Sequence, residues 1–94
     1  MKIVIAPLAA QDLQEAYEFI ARDNKHAADE VLIHIAEVLG LLASGRVCGR
    51  EVTLTRRRKV RTWSVPPYRI YYRIQRGELQ VIRIYHQARR PIEE

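Results

Sequence analysis

Tyr68-Arg69-Ile70-Tyr71-Tyr72-Arg73-Ile74-Gln75, then Arg76-Gly77-Glu78, then Leu79-Gln80-Val81-Ile82-Arg83-Ile84-Tyr85-His86 read as two strands and the turn between them. Both runs are rich in β-branched and aromatic residues, and the Gly-centred break between them suits a hairpin. Side chains alternate along an extended chain, so Tyr68, Ile70, Tyr72 and Ile74 share one face of the first strand while Arg69, Tyr71 and Arg73 share the other. One apolar face predicts a covering layer of helices. Working outward, Val60 to Val65 forms a further strand ended by Pro66-Pro67, and Glu51 to Thr55 has enough β character to pair weakly. Ser44-Gly45 and Cys48-Gly49 punctuate the approach to this region.

The covering layer is legible upstream. From Leu8 to Arg22 the apolar residues Leu13, Ala16, Tyr17 and Ile20 recur at helical steps with Asp12, Glu15 and Glu18 turned away, and Pro7 suits the first turn. After the short polar link Arg22-Asp23-Asn24-Lys25, with Asn24 as an N-cap, the stripe Ala28, Val31, Leu32, Ile35, Val38, Leu39, Leu42 continues helical spacing from Ala27 to Leu42. Residues 2 to 6, Lys-Ile-Val-Ile-Ala, are expected to form a short strand buried on both faces. The expected architecture is a single α+β domain over residues 1–94, in the order β-α-α-β-β-β, with a helical hairpin packed on a mainly antiparallel sheet. At 94 residues there is room for one core only.

Composition narrows the function. With 48% hydrophobic and 29% charged residues the chain belongs with folded domains rather than disordered ones. It has no apolar run of the roughly 20 residues that a membrane span needs and no signal-peptide pattern, so a cytoplasmic location without membrane contact is expected. A lone cysteine, Cys48, has no partner for a disulfide or metal cluster and is expected to sit half-buried in a loop. The net charge of +5 is unevenly spread. Residues 1 to 45 carry three bases against seven acids, whereas residues 46 to 94 carry thirteen bases against four acids. A concentrated positive field of that kind attracts phosphates or an acidic protein segment.

Three segments give the chain a family resemblance. Ala10-Gln11-Asp12-Leu13 with Phe19-Ile20 is similar to an opening helix with an Asp-Leu pair. Asn24-Lys25-His26-Ala27-Ala28 with Val31 and Ile35 matches an Asn, double-Ala, Val, Ile pattern. Pro67 to Ile74 together with Ile82-Arg83-Ile84-Tyr85-His86-Gln87-Ala88-Arg89-Arg90-Pro91 matches a final hairpin with a His-x-x-Arg ending. In these the chain resembles the RelE/ParE toxin superfamily, closer to its ParE branch. The resemblance implies the toxin of a type II toxin–antitoxin (plasmid stabilisation) pair, neutralised by a cognate antitoxin in a hetero-oligomer. It implies two competing targets: DNA gyrase for a ParE-type inhibitor, or messenger RNA on the ribosome for a RelE-type endoribonuclease. A third reading is a non-toxic scaffold that only binds an antitoxin.

Each reading names its residues. Cleaving RNA through its own 2′-hydroxyl needs proton transfer and positive charge around the phosphate. His86, with Arg69 and Arg61, forms the candidate catalytic set under the nuclease reading, since an ordinary imidazole titrates near neutral pH. Tyr71 and Tyr85 are candidates for stacking on a base. The run Arg56-Arg57-Arg58-Lys59, with Arg73, Arg83, Arg89 and Arg90, is the candidate surface for nucleic acid or antitoxin, because arginine forks accept phosphates and carboxylates alike. Trp63, Tyr17, Tyr68 and Tyr72 are expected in the core. His26 and His34 lack the spacing and carboxylate company of a zinc site, so neither a metal nor any other cofactor is expected.

Overall fold

The computed structural model of the chain describes residues 1–54 and 57–88. It contains β1 (Lys2–Ile5), α1 (Pro7–Ala21), α2 (Lys25–Ser44), β2 (Arg50–Thr53), β3 (Lys59–Val65), β4 (Tyr68–Gln75) and β5 (Glu78–His86). One five-stranded sheet runs in the order β1-β5-β4-β3-β2. β1 pairs parallel with β5, and every other pairing is antiparallel. The order therefore carries one strand more than the sequence led us to expect: β2, over Arg50–Thr53, pairs fully with β3.

Local chemistry accounts for the element boundaries. Pro7 opens α1, where its missing N–H costs nothing. Asn24 caps α2 as expected: its side-chain oxygen accepts the Ala27 amide at 3.0 Å. Gly45 closes α2 in the left-handed conformation (φ 79°) that glycine adopts without strain. Arg76 and Gly77 both have positive φ, the two-residue turn whose twist matches a hairpin.

α1 and α2 cover one face of the sheet. The main core joins Ala9, Ala16, Ile35, Leu39 and Leu42 of the helices to Val65, Tyr68, Ile70, Tyr72, Leu79, Val81 and Ile84 of the sheet, with Trp63 half-buried against it. The opposite face carries a smaller cluster of Leu54, Val60 and Tyr71, with Val52, Ile82 and Tyr85 packed on it. A bulge between Tyr71 and Tyr72 shifts the register of β5, so that Val81 faces the helices and so, one residue out of simple alternation, does Ile84.

Four expectations are corrected here. β1 is not buried on both faces; it is the sheet's edge, and Ile3 and Ile5 are exposed. Leu32 of the α2 stripe is likewise exposed, as is Cys48. Asp12 does not face solvent. It is buried between α1 and β5, where its carboxylate accepts two bonds from the Arg83 guanidinium (2.8 and 2.9 Å) and one from the Ile84 amide (3.0 Å). The physical reason lies in the sheet. β1 ends opposite Val81, and the Ala6 amide bonds the Val81 carbonyl. Beyond that point β5 has a free edge whose next inward amide, that of Ile84, needs an acceptor. A helical carboxylate supplies one where a strand has run out.

Candidate functional site

The sheet keeps the candidate catalytic residues apart. Arg61 lies on the helix-facing side of β3, in step with Trp63 and Val65, and its guanidinium donates to the Gly49 carbonyl at 2.8 Å. Arg69 lies on the opposite face of β4, where it reaches the Thr62 hydroxyl at 3.5 Å. His86 is back on the helix side, exposed at the end of β5, packed edge-on against the Tyr68 ring with centroids 5.4 Å apart. Its Nδ1 accepts the Ala88 amide at 3.1 Å, which anchors the turn after β5. A layer of backbone thus separates Arg69 from Arg61 and His86, and the three do not converge on a common phosphate. Tyr71 is buried in the smaller cluster, edge-on to Tyr85 at 6.0 Å, so no base can stack on it. This overturns the stacking role expected of Tyr71.

The basic residues have separate fates. Arg83 is committed to Asp12, with its guanidinium 4.5 Å from the centre of the Tyr85 ring. Hydrogen bonding to Asp12, ahead of its opposing burial, raises the Arg83 pKa, so this cation stays charged. Its charge is therefore spent within the fold. Arg73 donates to the Gln80 side chain at 2.8 Å. Arg57 and Lys59 are exposed, and Arg58 is half-buried with its own interaction. Arg56, Arg89 and Arg90 lie outside the described residues. Among the described residues no cluster of His, Cys, Asp and Glu could hold a metal, and no helix is long and apolar enough to cross a membrane. His26 instead pairs with Glu30, one turn away at 2.9 Å.

What sequence reasoning missed is apolar. Phe19, Ile33 and Leu8 are 67%, 57% and 55% exposed on the helical hairpin. Two open grooves border the hairpin, and Phe19 lines the first. One, of about 360 Å3, lies between α1 and the free edge of β5 and is lined by Asp12, Glu15, Ala16, Phe19, Tyr68, Ile84 and His86. The other, of about 330 Å3, is nearly all apolar and lies where Ala10, Leu13 and Tyr17 of α1 meet Ile5 and Leu32. The Tyr17 hydroxyl donates to Asp29 at 2.6 Å and holds α1 to α2 above it; that bond raises the phenol's pKa above its ordinary value. Helical periodicity marks one apolar stripe per helix, so Phe19, Leu8 and Ile33, which fall off the stripes, carry the signal that was available. Large apolar side chains left exposed beside open grooves are where another protein can dock.

The model of the family described as the ParE toxin of type II toxin–antitoxin systems, parDE, matches residues 3–91. Among solved structures, a chain of the chromosomal ParDE toxin–antitoxin system from P. aeruginosa superposes with a TM-score of 0.73 at 23% identity, over 92% of this chain and 95% of that one, and so shares the fold. No curated protein matches the chain.

Proposed function

The chain belongs to the ParE toxin family of type II toxin–antitoxin systems, and on that premise we propose that it acts by docking on a protein, with DNA gyrase as its target and a cognate antitoxin as its restraint. The observation that carries this reading is the exposed apolar surface of the helical hairpin, centred on Phe19, Leu8 and Ile33. A poison that works by occupying a protein needs such a surface and needs no acid–base pair. The separation of Arg61 and His86 from Arg69 by the sheet supports the same choice, since messenger cleavage requires charge and proton donor on one phosphate.

The test is a supercoiling assay with purified protein and gyrase, run beside a ribosome-programmed messenger cleavage assay on the same preparation. Inhibited supercoiling with intact messenger, relieved by the co-expressed antitoxin, is the expected result. Cleaved messenger with normal supercoiling would replace this reading with the RelE-type one. If neither assay responds, the chain is a scaffold that only engages its antitoxin.

A further inference from the structure

We propose that the face of the sheet away from the helices, at Arg50 and Arg69, binds the phosphate backbone of a single-stranded nucleic acid without cleaving it. The proposal does not rest on gyrase being the target. Strand register brings the site together: Arg50 of β2 stands opposite Thr62 of β3, which stands opposite Tyr71 of β4, and in the next row Ser64 stands opposite Arg69, which stands opposite Tyr85. All of these belong to the face away from the helices, as the burial of Val60 and Tyr71 in the smaller cluster shows. The Arg69 guanidinium leans back onto the hydroxyl of Thr62, the residue that stands opposite Arg50 in the register. Ser64 and Gln87 are hydrogen-bonded together at the exposed end of the same row.

Among the described residues nothing on this face neutralises the charges of Arg50 and Arg69. Among the described residues neither arginine has a carboxylate partner, and Glu51, the sequence neighbour of Arg50, points to the helix side with Arg61. The register puts one described carboxylate on this face, Glu78, opposite Gln75. It lies six residues along from the Arg69 row, about 20 Å at strand rise. Two planar guanidiniums with no counter-charge among the described residues present a donor set for phosphate oxygens. Arg73 continues the line of arginines along the strand direction, and there the line ends: its guanidinium donates to Gln80, which in turn donates to Glu78. An extended strand of phosphates suits such a line, while a lone phosphate would use only part of it. The proposal is for binding alone and assigns no chemical step to the Tyr85 phenol, which stands opposite Arg69.

The test measures binding of a short fluorescein-labelled single-stranded DNA, and of the same sequence as RNA, to the full chain by fluorescence anisotropy between about 50 and 200 mM salt. Combining Arg50→Ala with Arg69→Ala is expected to weaken binding roughly tenfold and to make log affinity against log salt shallower by about 1.4, two contacts at about 0.7 each. The double lysine variant, Arg50→Lys with Arg69→Lys, is expected to stay within about threefold, since phosphate contacts tolerate a point charge. It also checks that these positions accept substitution without loss of fold. An equal loss of charge on the helical hairpin, Arg22→Ala with Lys25→Ala, is expected to leave affinity within about twofold. If that pair weakens binding as much, long-range field and not a site is responsible, and the proposal falls. It falls also if the oligonucleotide does not bind while polyglutamate does, which assigns the face to an acidic protein segment.

Discussion

One carboxylate, Asp12, satisfies three donors at the junction of α1 and β5. Asp12→Ala leaves the Arg83 cation and the Ile84 amide without their acceptor while both stay largely out of water. Removing one member of a buried pair is costly, and because Arg83 retains some solvent contact the expected loss is about 3 kcal/mol, the low end of the range. Urea unfolding measures it. Arg83→Met in the same background should recover part of the loss, because the uncompensated charge then disappears; no recovery would mean that the pair's charge is not what Asp12 serves. Gly49 is a second case of one residue holding two elements. Its amide donates to the Tyr72 hydroxyl at 2.7 Å, and a Cβ there would meet the Thr62 carbonyl at 2.5 Å and that hydroxyl at 2.8 Å. Burial raises the Tyr72 pKa, so the phenol stays protonated at neutral pH and its oxygen remains an acceptor. Gly49→Ala is expected to cost about 2 kcal/mol through overpacking against backbone that cannot yield. A thermal melt unchanged from the parent protein would show that the loop moves aside freely.

At the scale of elements, the helical hairpin depends on its turn. Asn24 caps α2 and its carbonyl accepts the Ala28 amide, so Asn24→Ala is expected to cost about 1 kcal/mol, read as a lower urea midpoint with an unchanged slope. A changed slope would instead point to a different unfolded state or lost cooperativity. The strands divide the chemistry. Alternation along β4 puts Tyr68, Ile70 and Tyr72 into the core beneath the helices and Arg69 and Arg73 on the other side, a division that follows from the sequence pattern alone. What alternation within one strand does not say is which face of a neighbouring strand joins which. Cross-strand register decides that Arg61 shares a face with Tyr72 and not with Arg69, and so disperses the proposed catalytic set.

The whole molecule is polar in charge: acids concentrate on the helical hairpin and bases on the sheet half. The three most exposed large apolar residues, Phe19, Ile33 and Leu8, lie on the acidic hairpin, so partner proteins and anionic polymers are expected at different surfaces. Phe19→Ser, at a side chain with little to lose from the core, should change folding stability by no more than about 0.5 kcal/mol. It should weaken gyrase inhibition or antitoxin binding at least tenfold, roughly the cost of losing a well-packed aromatic anchor. The two assays run side by side say which partner uses the hairpin, and the docking surface is elsewhere if neither moves. The sequence by itself determined the α+β class, the helical hairpin with its Asn24 cap, the β4–β5 hairpin and the family resemblance, because these rest on periodicity, capping and turn chemistry within short spans. Only the tertiary structure decided that β1 is an exposed edge, that Asp12 is buried against a residue 71 positions away, and which arginines share a face. Those facts arise from pairings between distant segments, where the free energy of satisfying a buried amide or charge is set by whichever strand or helix arrives beside it.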